Sequence, residues 1–249
     1  MKIAYFDCLS GISGDMTLAA LLDLGVPLSL LNDAVRGIHD GIHITAEPAV
    51  RKGFRATYVH VHAPHEHVHR HLSHILEMIA RADISDAAKT HASEIFRLLA
   101  EAEAKVHGTN VEEVHFHEVG AADSIADIVA AAVGLEYLGI GEIRASAVPT
   151  GCGTVKIAHG LCSVPVPATA ELLCGIPLAA SDIPHELTTP TGAAILKHYV
   201  RHFGPMPAMT VHRVGIGAGT RDLPQQANIL RILLGEIQET AAGNGAPAQ

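Results

Sequence analysis

Lys2 to Phe6 reads as a short buried strand and Met16 to Leu24 as an apolar helix. The segment between them, DCLSGISGD, must therefore carry the chain straight from strand to helix. That junction constrains the fold more than any other stretch, because it commits the chain to helices layered on a sheet. Gly11 and Gly14 let the backbone bend, and Ser10, Ser13 and Asp15 offer caps. Free N–H groups at such a junction form an anion cradle. The stretch lacks both the GK[ST] ending of a Walker A loop and the GxGxxG spacing of a dinucleotide fingerprint. A tight turn capped by Asp15 needs no ligand at all, and both readings stay open. Asp7, at the strand end, suits either a metal ligand or a hydrogen-bonding anchor.

The rest of the chain continues the alternation. Helices are expected over Leu28–Ile38, Leu72–Ala82, Ser85–His107, Ile125–Leu138, Ala168–Cys174 and Ala193–His202. Ser85 caps the third of these and Gly108 stops it, while Asp123 is the expected N-cap of Ile125–Leu138. Strands are expected over Ile42–Val50 and Phe54–His62 as a hairpin, then Ile143–Pro149, a short strand to Ala158, Thr210–Ala218 and Asn228–Glu236. The pattern predicts an α/β or α+β body, a mixed sheet with flanking helices, over residues 1–238. Residues 65–120 are a candidate sub-domain and 239–249 a disordered tail.

Composition narrows the functions. A net charge of −9 without a Lys/Arg stripe excludes a nucleic-acid surface and suits cations. Cys8, Cys152, Cys162 and Cys174 show no CxxC spacing, so neither a zinc knuckle nor a disulfide framework is expected. Without a signal peptide or a run of about 20 apolar residues, the expected location is the cytoplasm and no membrane partner is expected.

From Tyr58 to His74 the chain reads YVHVHAPHEHVHRHLSH and holds seven histidines: His60, His62, His65, His67, His69, His71 and His74. Neutral imidazole is the commonest side-chain ligand for nickel, copper and zinc. In the strand Phe54–His62, Tyr58, His60 and His62 share one face. A second group lies in VHFHEVGAADSIADI, where His115 and His117 share a face if extended and Glu118 follows. Asp123 and Asp127 then stack at i,i+4. Together they offer metal ligands and a proton acceptor, although both aspartates also suit a helix start. His91 and His107 stand singly on their helix and read as structural or exposed. In the second half, Thr188, Thr189, Thr191 and Gly192 precede or open a helix, and Arg221 sits in a Gly-rich turn. Each suits an anion, though capping or a surface position also explains it.

The motifs FDCLSGISGDM, HRHLSHI, HFHEVGAADSIADIV, VPTGCGTV, HGLCSVPVPATAELL, ELTTPTGAAIL and GIGAGTRDLP run through almost the whole chain in order. In them the sequence resembles the LarC nickel-insertion family, departing at Leu9, where an aromatic is common, and at Cys152, where Ser is. The resemblance implies insertion of Ni(II) into a pyridinium bisthiocarboxylate mononucleotide, with two Ni–S bonds and one Ni–C bond formed and CTP consumed. It implies a lyase-class cyclometallase that also uses Mg or Mn. Which residues would do this is read from residue chemistry and not from the resemblance: on that ground the candidate metal ligands are His60, His62, His65, His67, His69, His71, His115 and His117, and the roles that follow rest on the same ground. His117, Glu118 or Asp123 would take the ring proton. Ser10, Ser13, Gly14, Asp15, Thr188, Thr189, Thr191, Gly192 and Arg221 would hold the nucleotide phosphate. Family members commonly continue into a C-terminal domain. The chain is thus expected to work with such a domain, as a separate chain or frameshift product, and a homo-oligomer is compatible with this. The rival reading is a non-catalytic nickel store or metallochaperone. A zinc hydrolase using His115, His117 and Glu118 lacks HExxH geometry and ranks last.

Overall fold

Ile3, Ala4, Tyr5 and Phe6 are all buried, as a strand covered on both faces requires. The structure, a computed structural model, describes residues 1–39, 41–64, 70–116 and 122–237. In chain order come β1 (Lys2–Asp7), α1 (Gly14–Asp23), α2 (Leu28–Arg36), β2 (His43–Arg51), β3 (Phe54–His62), β4 (Arg70–His71), α3 (Leu72–Arg81), α4 (Asp86–His107) and β5 (His115–Phe116). They continue with α5 (Ala122–Tyr137), β6 (Glu142–Ala145), β7 (Val148–Pro149), β8 (Thr154–Ile157), β9 (Gly160–Ser163), α6 (Pro167–Leu172) and β10 (Leu178–Ala179). Last come α7 (Pro190–Tyr199), β11 (Val200–Phe203), β12 (Thr210–Ala218) and β13 (Ile229–Glu236).

β1 lies inside a seven-stranded mixed sheet of order β11-β6-β1-β13-β12-β3-β2. It runs parallel to β6, which runs parallel to β11, and antiparallel to β13. The β2–β3 hairpin joins through Thr57 opposite Gly217. This is the expected α/β architecture, a mixed sheet with flanking helices. α5 is apolar on nearly every side and is buried accordingly, with α1, α2 and α4 packed around it. α3 buries Leu72, Ile75 and Ile79 as one stripe. One continuous core runs from Ala4 to Leu234 and includes α3, α4 and Phe116.

Most expected elements recur within a residue or two, including the Ser85 cap and the left-handed Gly108 stop of α4. Four differ. Residues 143–149 split into β6 and β7 because Ser146 turns inward: its N–H donates to Phe6 O (3.0 Å) and its Oγ accepts from Cys8 N (3.0 Å). α7 begins at Pro190, capped by Thr189, and ends at Tyr199; Val200–Phe203 instead pairs with β6 as an edge strand. There the open ladder of β6 outweighs helix continuation, and β-branched Val200 suits it. β9 is an unforeseen partner of β8. Asp123 is not the N-cap of α5 but lies in its first turn, its Oδ1 accepting from Ser124 N (2.7 Å). The expected tail, 239–249, lies outside the described residues.

Two loops lock the sheet to α7. Ile12 bridges Thr188 in parallel, with Ile12 N donating to Leu187 O (3.1 Å) and Thr189 N to Ile12 O (3.1 Å). The contact requires glycine at 192, where a Cβ would overlap the Ile12 carbonyl and lie 3.0 Å from Ser13 N. Gly192→Ala is therefore expected to cost about 1–3 kcal/mol as an overpacked contact. Thermal melting should fall by roughly 2–10 °C, and an unchanged melt would rule the contact out.

Candidate functional site

Three turns meet at the carboxyl ends of the parallel strands β1 and β6, where open α/β sheets commonly bind ligands. They are residues 8–13, residues 186–189 and the β12–β13 connection. Ser10 Oγ donates to Ala227 O (2.6 Å) and accepts from Gln226 Nε2 (2.8 Å). Thr188 Oγ1, also buried, donates to Pro149 O (2.8 Å). Both hydroxyls thus hold the loops to one another. Thr191 is buried and Gly192 forms the contact with Ile12. Ser13 caps α1, accepting from Met16 N (3.4 Å) and donating to Asp15, while Thr189 caps α7, accepting from Gly192 N (3.2 Å). Arg221 is exposed in the β12–β13 turn, where its carbonyl accepts from Asn228 Nδ2 (3.0 Å). Asp7 proves to be an anchor, paired with Arg231 across the β1–β13 ladder.

The carboxyl at the centre of this region is Asp127. Its side chain lies where Gly14 lacks one: a Cβ at Gly14 would come within 2.6 Å of the Asp127 Cγ. Asp127 Oδ1 is buried and has no hydrogen-bond partner among the described residues. Burial, then the charges of Asp15 and Asp123, push its carboxyl well above the usual carboxylate range. The start of α1, the start of α7 and the first two turns of α5 therefore converge, with three carboxylates among them. The i,i+4 spacing of Asp123 and Asp127 was legible; that Asp127 would be the half-buried member and Asp123 the exposed one depends on where α1 docks.

The histidines fall into two groups. His60 and His62 are exposed on β3, their rings 5.9 Å apart, as the alternation predicts. The cross-strand partner His43, which the sequence reading overlooked, stacks on His62 at 4.4 Å because the hairpin register sets the two opposite. Thr45 Oγ1 shares a 2.9 Å hydrogen bond with His62 Nε2. β4 and β5 pair so that His71 lies directly opposite His115, joining the two histidine-bearing stretches. Among the described residues, no three of these histidines bring ligand nitrogens together. His65, His67, His69, His117 and Glu118 lie outside the described residues.

A cavity of about 330 Å³ borders Pro190 at the start of α7, with walls that include His107, His159 and Cys162. Pro190 alone connects it with the turns above.

The fold and site define an α/β protein that gathers carboxylates and helix starts at the ends of parallel strands and carries histidines along a neighbouring hairpin. The family model described as "Nickel insertion protein" matches residues 4–246, and the chain belongs to that family. A pyridinium-3,5-bisthiocarboxylic acid mononucleotide nickel insertion protein of Desulfitobacterium hafniense (strain DSM 10664 / DCB-2) is 50% identical over 244 residues, covering 98% of this chain and 60% of that protein. A protein of the same description from Geobacillus kaustophilus (strain HTA426) is 46% identical over 259 residues, covering 100% of this chain and 62% of that one. The chain thus spans about 60% of the length of these curated relatives. No solved structure matches it.

Asp127 gives the fold a pH signature. Its proton is favoured in the folded state, so its stabilising contribution is complete below the unfolded carboxyl value of about 3.9 and is lost as pH rises toward the raised folded value. Asp127→Asn should melt with the wild type near pH 4 and several degrees above it at pH 7–8. Parallel melting curves across that range would contradict the assignment.

Proposed function

We propose that this chain captures Ni(II) and provides the cyclometallation site for its insertion into a pyridinium-3,5-bisthiocarboxylic acid mononucleotide. The single observation behind this reading is the half-buried Asp127 carboxyl, its Oδ1 shielded from solvent, seated against Gly14 with Asp15 and Asp123 nearby. Forming a Ni–C bond at a ring carbon uses the electron pair of the C–H bond. Nickel remains Ni(II), and the proton must leave to a base. A carboxylate with raised proton affinity in a water-poor position suits that task. Burial, then the charges of Asp15 and Asp123, hold a proton on Asp127, and a dication arriving nearby offsets the charge contribution. Asp127 then releases that proton to solvent water and is ready to accept the ring proton.

The other residues divide the remaining work. The histidines at 60, 62, 65, 67, 69, 71, 115 and 117 concentrate nickel. Backbone N–H groups at the starts of α1 and α7, near Ser13, Gly14, Thr189 and Gly192, favour the nucleotide phosphate, with Arg221 on the adjoining turn as a second anionic contact. Ser10, Thr188 and Thr191 position these loops. His117, Glu118 and Asp123 are proton-relay candidates behind Asp127. CTP, with Mg or Mn, is assigned to a C-terminal family domain or partner chain that completes this lyase-class insertase in the cytoplasm. The absence of a Walker A motif supports that division. Among the described residues no helix is long and apolar enough to cross a membrane.

Single-turnover insertion tests the reading, with the chain supplemented by a C-terminal family domain, CTP, magnesium, excess nickel and the mononucleotide. Asp127→Asn should slow cofactor formation by roughly 10²–10⁴-fold while binding as many nickel equivalents as the wild type. Conversion by that variant at the wild-type rate would refute the role of Asp127. His43→Ala/His60→Ala/His62→Ala should behave oppositely, taking up less nickel in equilibrium dialysis yet reaching near-normal turnover when nickel is in excess. If uptake is unchanged in the triple variant, the hairpin has no part in nickel capture.

A further inference from the structure

His91 and Glu94 lie one turn apart on α4, a spacing that puts both side chains on one face. His198, near the end of α7, meets them from the packed neighbouring helix. His91 Nδ1 and His198 Nε2 are 2.8 Å apart, and His198 Nδ1 lies 3.5 Å from Glu94 Oε2. One ligand atom from each of the three residues falls within 4.8 Å of the others, the only such cluster among the described residues. The His198 side chain is only 11% exposed and Glu94 is open to solvent, so an ion has a route in. A cavity of about 440 Å³ adjoins the cluster, and its walls also include Glu136, Tyr199 and Arg201. The Tyr199 ring packs against both imidazoles, and its buried hydroxyl has no hydrogen-bond partner among the described residues.

We propose that His91, Glu94 and His198 form a second metal site, bridging α4 and α7, for a divalent ion of the zinc and nickel class. Two imidazoles and one carboxylate beside a cavity match a three-ligand site with an open fourth position. Tetrahedral coordination at about 2.0–2.1 Å sets nitrogens roughly 3.3 Å apart, so an ion replacing the contact between His91 Nδ1 and His198 Nε2 needs the imidazoles to separate by about half an ångström and the exposed Glu94 carboxylate to turn from His198 Nδ1 toward it. Burial first, then the neighbouring His91, push the proton affinity of His198 down, which leaves its ring neutral and available as a ligand at pH 7. Tyr199 offers its unpaired hydroxyl to a water or ligand on the open side.

The site is separate from the carboxylate centre. Thr189, at the opposite end of α7, borders that centre, and nine residues of helix place His198 roughly 13 Å away along the axis. It is also separate in sequence from the histidines between 60 and 74, and nothing in the insertion reading depends on it.

The test uses the whole chain with Zn(II) or Ni(II) alone, without mononucleotide or CTP. The His43→Ala/His60→Ala/His62→Ala background lowers competing uptake. Equilibrium dialysis with elemental analysis should show one tight equivalent fewer for His198→Gln, and the metal-induced rise in melting temperature should shrink. His91→Gln, at a more accessible position, should give the same loss if the His198 variant folds poorly. Glu94→Gln should retain the fold and weaken the ion by tenfold or more. Unchanged stoichiometry and an unchanged metal-induced melting shift in both histidine variants would overturn the proposal. Because no turnover is measured, a failed insertion assay would leave this result untouched.

Discussion

Between Ile12 and Gly14 the backbone passes through a gap that admits no side chain at either of its two closest contacts. On one side Gly192 brings α7 against the Ile12 carbonyl, and on the other Gly14 gives its missing side-chain volume to Asp127. The parallel bridge between Ile12 and Thr188 fixes the position of the loop, and Ser10 ties it to Ala227 on the far turn. Everything chemical at this end of the sheet depends on that fit. If the loop stood further out, more water would reach Asp127 and the largest cause of its raised proton affinity would weaken, leaving the charges of Asp15 and Asp123. Tight packing and unusual proton affinity are thus one feature seen at two levels.

The same geometry explains why the hydroxyl-rich turns divide into two kinds. Ser10 and Thr188 spend their hydrogen bonds on carbonyls of neighbouring loops, so they set the distance between elements. Ser13 and Thr189 instead cap helix starts whose remaining N–H groups carry the positive end of the helix dipole. In sequence all four look alike, as small hydroxyls in Gly-rich turns. Which ones are left facing a ligand is decided by partners more than one hundred residues away in three of the four loop contacts described above.

Local signals made much of the architecture legible. The β2–β3 hairpin, the Ser85 and Gly108 boundaries of α4 and the first strand-to-helix junction all follow from alternation, caps and glycine stops within a few residues of each other. The misread elements are those settled by long-range competition. Val200–Phe203 continues a helical pattern until the free edge of β6 takes it as a strand, and Ser146 leaves its strand because Phe6 and Cys8 need its polar groups. The site divides in the same way. His60 and His62 were legible from period two, whereas His43 became their neighbour only through hairpin register. His91 looked solitary because Glu94 beside it is unremarkable and His198 lies 107 residues on.

On the proposed function, affinity and reactivity make opposite demands on surroundings, and the two are assigned to different parts of the fold. Exposed imidazoles on an edge hairpin lose little by facing water, and they can take and release a borderline dication without leaving a charge stranded. A carboxyl meant to accept a proton from carbon must instead be kept dry, which makes its ionised form costly until a cation is near. Placing both functions on one surface would compromise each, since the water that eases exchange at the histidines would also relax the Asp127 carboxyl. The pairing of His71 with His115 matters here because α5 starts only six residues beyond Phe116. It fastens the histidine-bearing stretch to the segment that leads, in sequence, into the helix of Asp123 and Asp127.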